Sequence, residues 1–137
     1  MLYSRTAKYG IKALTYLSES EGEGYKTVDY IADRTEIPTQ FLGKICQNLA
    51  KKGLLQSRKG RGGGFRLAKS GDEIPLMEVI KSLDGEKVFD RCLFDVKKCS
   101  KGGLCPLHED WVPIRNQLEK LMEKTTIADL TQGSNFN

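Results

Sequence analysis

No run of this 137-residue chain is apolar for anything like the ~20 residues that cross a bilayer, and the opening Met1-Leu2-Tyr3-Ser4-Arg5 lacks the continuous apolar segment of a secretory signal. The expectation is a soluble, cytoplasmic protein that uses no membrane. Cysteine occurs four times and histidine once. No two cysteines are spaced Cys-x-x-Cys, the pair a thiol oxidoreductase uses, and no Gly-Lys-Ser/Thr follows the glycine run as a nucleotide-phosphate loop requires. An enzyme is therefore not expected. Acidic residues are missing altogether from Ile37 to Gly71, a segment that carries eight basic ones: Lys44, Lys51, Lys52, Arg58, Lys59, Arg61, Arg66 and Lys69. Residues 1–70 hold 13 Lys/Arg against 6 Asp/Glu, and residues 71–137 hold 9 against 12. Natural surfaces mix the two signs, so a basic stripe without carboxylates points to a polyanionic partner.

What the chain does have is a crowded stretch in which Cys92, Cys99, Cys105 and His108 fall within 17 residues, interspersed with Gly102, Gly103, Lys97, Lys98 and Lys101. Thiolates and imidazole are ligands for soft and borderline metals, and in a reducing cytosol clustered cysteines serve as metal ligands or redox centres rather than disulfides. The gaps of six and five residues between the three cysteines fit structural zinc poorly, because zinc sites usually contain a closer Cys-x2-4-Cys pair. Cys46, away from this cluster, reads as a buried core thiol.

Periodicity organises the rest. Ala7, Ile11, Leu14 and Leu17 at helical spacing predict a first helix over residues 4–19, ending near Glu21-Gly22-Glu23-Gly24. Thr27 caps a short second helix over 28–34, and Pro38 opens a third that runs to Lys52 and stops at Gly53. Leu42, Ile45, Cys46 and Leu49 share one face of that third helix, which leaves Thr39, Gln40, Gly43, Lys44 and Gln47 on the other. Hydrogen-bonding groups plus a lysine suit base edges in a major groove, so the pair of short helices reads as a helix-turn-helix. Leu54-Leu55-Gln56-Ser57 and Phe65-Arg66-Leu67-Ala68 predict strands joined by a turn that carries Arg58, Lys59 and Arg61, a hairpin with the shape of a wing. Pro75 opens a fourth helix over 76–83. Pro106 starts a last one, in which Leu107, Trp111, Ile114, Leu118 and Leu121 repeat at spacings of 4, 3, 4 and 3, a near-heptad stripe suited to a partner chain or to the rest of its own.

Five segments in this order resemble the winged-helix iron-sulfur repressors typified by IscR and NsrR, the Rrf family. They are Ser4-Arg5-Thr6-Ala7-Lys8-Tyr9-Gly10, Leu49-Ala50-Lys51-Lys52-Gly53-Leu54-Leu55, Lys59-Gly60-Arg61-Gly62-Gly63-Gly64-Phe65, the Cys92, Cys99, Cys105 triplet, and Thr126-Ile127-Ala128-Asp129-Leu130. The resemblance covers the chain to about Leu130. It implies a mainly α fold with a small β-hairpin wing: a winged helix-turn-helix domain over 1–83, a cluster-binding loop over 84–105, a dimerisation helix and closing segment over 106–130, and a tail over 131–137.

It implies as well a homodimeric repressor of double-stranded DNA operators whose three loop cysteines hold an iron-sulfur cluster that reports iron-sulfur, redox or nitric oxide status. Residues 1–18 contain no Asp, Glu, His or Cys, so the acidic fourth ligand some relatives supply from that region is missing here. His108 follows Cys105 by three residues in the first turn of a helix, where i and i+3 share a face. That matches the three-cysteine, one-histidine set of IscR-like members and favours a 2Fe-2S cluster. A 4Fe-4S cluster with another fourth ligand, and a cluster-free regulator controlled by a protein partner, are the alternatives. DNA contacts are expected from Thr39, Gln40, Lys44 and Gln47 in the major groove and from Arg58, Lys59 and Arg61 at the backbone or minor groove. The dimer contact is expected from Leu107, Trp111, Ile114, Leu118 and Leu121. Gly43 and Arg61 depart from the family pattern, which leaves operator preference open.

Overall fold

The structure is a computed structural model that describes residues 3–90 and 107–131. Helix α1, Arg5–Glu19, starts where the Ser4 hydroxyl accepts the Ala7 amide and buries Ala7, Gly10, Ile11, Ala13, Leu14 and Leu17. It is the central rod, touching α2, α3, α4 and α6. Helix α2, Val28–Thr35, is capped as its sequence predicts, by the Thr27 hydroxyl accepting the Tyr30 amide, and Glu36 ends it in the left-handed region at φ 59°. Ile37 and Pro38 then turn the chain into α3, Thr39–Lys51, whose buried face is Leu42, Ile45, Cys46 and Leu49.

Gly53, at φ +82°, reverses the chain after α3. Its amide donates to the Ala50 carbonyl at 3.1 Å and the Leu54 amide reaches the Leu49 carbonyl at 2.9 Å, the paired bonds that close a helix through a left-handed glycine. This delivers Leu54, fully buried, into the core and starts β1, Leu55–Arg58. β1 pairs antiparallel with β2, Gly64–Leu67, in the register Leu55 opposite Leu67 and Gln56 opposite Arg66. Both strands lie one residue from their sequence-predicted edges. Lys26 adds a bridge on the far side of β2, its amide and carbonyl exchanging bonds with Phe65 at 2.9 and 2.8 Å.

Helix α4, Leu76–Asp84, packs Leu76, Met77, Val79 and Ile80 inward. Helix α5, His108–Lys124, packs against α4. The chain then returns to the core: the Leu76 amide donates to the Thr125 carbonyl at 2.8 Å and the Ile127 amide to the Ile74 carbonyl at 2.9 Å. That pairing seats α6, Ile127–Thr131, against α1. Ile127 is 0% exposed and belongs to the same core as Leu14, Ile31, Leu42, Leu49 and Ile80. Burying one such side chain contributes about 1.5–3 kcal/mol. The closing segment therefore stabilises the winged domain as well as following α5. Among the described residues, no helix is long and apolar enough to cross a membrane.

Candidate functional site

The face of α3 opposite its buried row carries Thr39, Gln40, Lys44 and Gln47, all exposed, with Gly43 half-exposed between them. Polar groups in these positions meet water in the free protein and are available to hydrogen-bond donors and acceptors in a groove. Phe41 is exposed beside them, and its ring stacks on Tyr9 of α1 at 6.4 Å between centroids. Arg58, Lys59 and Arg61 are exposed at the end of the hairpin. Gly64 makes their placement possible. At φ +132° it lies where side chains rarely go, and a Cβ there would overlap the Lys26 carbonyl oxygen that accepts the Phe65 amide.

The hairpin has two unlike faces. Leu55 is buried, and Phe65 and Leu67 pack against the core. On the other face the Arg66 Nε donates to Gln56 Oε1 at 3.0 Å, and both Arg66 and Arg58 stack over the Tyr25 ring, with guanidinium carbons 4.5 and 5.8 Å from its centroid. Neighbouring Tyr30 carries Lys26 at 5.0 Å and Arg34 at 4.8 Å. Sequence reasoning counted Arg66 in the basic stripe but gave no role to Tyr25 or Gln56. The one signal was an aromatic next to Lys26 just ahead of α2, too brief to show that it joins the sheet.

The sensor end is built around α5. Cys92, Cys99 and Cys105 lie outside the described residues. His108 is half-buried as the first residue of α5, and Trp111, one turn on, is 7% exposed. The predicted apolar stripe divides between two environments. Trp111 is buried and Leu118 packs against the core with Met122, whereas Leu107, Ile114 and Leu121 are 38%, 57% and 46% exposed. The exposed three recur every seventh residue and so share one side of the helix. The inward side includes Arg115, whose Nε and one Nη are buried without a hydrogen-bond partner among the described residues, and which has the Glu119 carboxylate 3.9 Å from its Nε.

At the other root of the cysteine segment, Asp84 ends α4 and turns its carboxylate on the start of α1. One oxygen accepts the Ser4 amide at 2.7 Å and the other accepts the Ser4 hydroxyl. Because α1 has no acidic residue in its first turn, Asp84 supplies from α4 the negative charge that favours a helix N-terminus.

The chain matches, over residues 3–133, the family described as Rrf2, iron-dependent transcriptional regulator. A protein of Aquifex aeolicus described as an HTH-type transcriptional regulator is 35% identical over 132 residues, covering 95% of this chain and 91% of that protein. Among solved structures, CymR, the global cysteine regulator of B. subtilis, superposes with a TM-score of 0.78 at 23% identity, covering 96% of this chain and 97% of that one. IscR of T. potens superposes with a TM-score of 0.73 at 24% identity, covering 95% and 85%. At these identities the two structures share the fold, a mostly helical body with a two-stranded wing.

Proposed function

This chain belongs to the Rrf2 family of DNA-binding transcriptional regulators, and from that premise we propose that it acts as a homodimeric repressor reading one operator with two α3 helices. A regulator, not an enzyme, is what the family comprises. Thr39, Gln40, Lys44 and Gln47 approach major-groove base edges, while Arg58, Lys59 and Arg61 hold the adjacent backbone or minor groove. The observation that carries this reading is that α3 and the wing expose these seven side chains from a stretch, Ile37 to Gly71, that carries eight basic residues and no carboxylate. Two-fold DNA sites call for a symmetric reader, and the exposed row Leu107, Ile114 and Leu121 offers the apolar surface for a second copy.

The sensing part of the proposal is an iron-sulfur cluster held by Cys92, Cys99, Cys105 and His108, of the 2Fe-2S type. Three thiols and one imidazole are a donor set suited to it, and among the described residues no other group of three His, Cys, Asp or Glu side chains converges on a metal position. His108 is a fit donor because it heads α5, three residues after Cys105 and one turn before the buried Trp111. When bound, the cluster supplies a redox-active, oxidant-sensitive inorganic centre. The protein's part is to connect its ligands to the reading heads. Residues 85–107 run from Asp84, hydrogen-bonded to the start of α1, to α5, so a change in that segment acts on the helix that carries both α3 and α4. A coupling of ~1–3 kcal/mol between cluster and DNA changes operator occupancy ~5- to 150-fold.

Anaerobic purification with iron and sulfide analysis tests the sensor, followed by footprinting of loaded and stripped protein. Visible charge-transfer absorption with iron and sulfide is expected, altered or made labile by His108→Ala. A reconstituted protein that remains colourless and free of iron would leave the family's DNA reader intact and remove the cluster from it.

A further inference from the structure

The outer face of the wing is organised around an aromatic ring, Tyr25, which carries two cations. Lys26 is paired with Glu23 at 3.4 Å and Lys69 with Glu78 at 3.1 Å. Neither Arg58 nor Arg66 takes part in any of the ion pairs formed among the described residues. Arg66 instead lies over Tyr25 with its Nε bound to Gln56, its cross-strand partner. A guanidinium held in that way has its face against a ring and one edge satisfied, which leaves both Nη groups as an oriented fork of donors. Arg58, two residues from Gln56 on β1, leans over the same ring. Glu21 shares a cavity of about 150 Å³ with Arg66, but its Oε1 is taken by the Gly71 amide at 3.0 Å.

We propose that Tyr25 and Gln56 hold Arg66, with Arg58, as a second phosphate clamp on the outer face of the wing, extending the DNA contact beyond the wing tip and α3. The ligand is the sugar-phosphate backbone flanking the bases that α3 reads, since a planar two-donor fork matches phosphate oxygens and the stack leaves nothing aimed at a base edge. Tyr25 is a positioning residue: it fixes two long side chains before DNA arrives, so less of their rotamer freedom is lost on binding. The inference rests on α3 and the wing being the DNA face, and it adds Arg66, positioned by Tyr25 and Gln56, to the contact that Arg58 already makes with the wing tip.

Fluorescence anisotropy with a mixed-sequence duplex of about 30 base pairs, repeated across salt concentrations, tests it on the whole chain. Arg66→Gln is expected to weaken binding several-fold at low salt and to lower the slope of log affinity against log salt by about 0.9, the loss of one phosphate contact. Tyr25→Leu leaves every charge in place, so the slope stays while affinity falls about threefold, the order of an exposed cation-ring contact. Tyr25→Phe keeps the ring and should bind like the parent, a rescue that separates stacking from a hydroxyl contact. Lys59→Gln serves as the reference for the wing tip, and circular dichroism checks that each variant is folded. If Lys59→Gln weakens binding and lowers the slope while Arg66→Gln changes neither, the outer clamp is wrong and the DNA face stands. If neither variant responds, the DNA face itself is misplaced and the clamp with it. A Tyr25→Phe protein as weak as Tyr25→Leu would remove the positioning role.

Discussion

Cys46 shows how one residue type is read in two ways along a single chain. Three cysteines sit in a lysine- and glycine-rich stretch that suits ligands, whereas Cys46 is fully buried on the inner face of α3 and burial pushes its thiol from 9.0 up to about 12. The neutral form is the one the core accepts. The unfolded chain begins to ionise this thiol near pH 9, while the folded chain keeps it protonated until about pH 12. Its contribution to stability is thus complete below pH 9 and declines between the two values, by at most ~1.4 kcal/mol per pH unit. Tyr16, raised from 10.0 to about 12 by burial and by the Tyr30 hydroxyl, adds a decline in the same direction. Urea midpoints measured from pH 8 to 11 should fall, and should fall less in Cys46→Ala once each protein is normalised to its own value at pH 8. At pH 8 an alkylating reagent should leave the Cys46 peptide unmodified in native protein and modify it in urea, as followed by mass mapping. Alkylation of native Cys46 at the unfolded rate would contradict its burial.

At the scale of elements, the wing and the α1–α4 junction depend on single contacts that can be removed cleanly. Gly64→Ala pushes a methyl group into the Lys26 carbonyl and separates the bridge from β2, with the helices untouched. Circular dichroism should retain the helical signal while DNA affinity drops about tenfold or more, since several phosphate contacts depend on the wing's place. Asp84→Ala removes the acceptor for both the Ser4 amide and hydroxyl. It should cost about 1–2 kcal/mol in urea unfolding, the order of a lost helix cap, with Asp84→Asn recovering part of it. The sequence made these elements legible to different degrees. Helices α1 to α4 follow from apolar spacing and local caps such as Thr27 and Gly53, so their positions agree within a residue or two. The Lys26 bridge is one residue long and has no period to detect. Helix α6 is a single short turn whose one buried residue, Ile127, looks like any isolated apolar side chain. Ser4 and Asp84 are 80 positions apart, and Tyr25 meets Arg66 only because β2 folds back, so neither pair leaves a local pattern. The ligand chemistry of Cys92, Cys99 and Cys105 was read from residue type and resemblance, and those residues lie outside the described structure.

For the molecule as a whole, charge and apolar surface are segregated. Residues 1–70, which include α3 and the wing, carry the excess of basic side chains, and residues 71–137, acidic on balance, include α5. The proposed function needs two copies at one site, and the surface proposed for joining them is on α5. Its apolar stripe is divided along its length: Trp111 and Leu118 are spent on the chain's own body, while Leu107, Ile114 and Leu121 stay exposed at intervals of seven. A single chain gains nothing by lining up three large apolar side chains in water, and the same row on a second copy would cover it symmetrically. The two halves of the stripe therefore respond differently to substitution. Ile114→Glu with Leu121→Glu places charge only on exposed positions, so the chain should stay folded by circular dichroism, sediment as a monomer, and bind DNA more than tenfold more weakly because the second head no longer binds intramolecularly. Trp111→Ala empties a buried site within the chain and should cost about 3–5 kcal/mol of stability. A doubly substituted protein that remains dimeric in sedimentation would show that a different surface joins the two copies, and that the exposed row on α5 has another purpose.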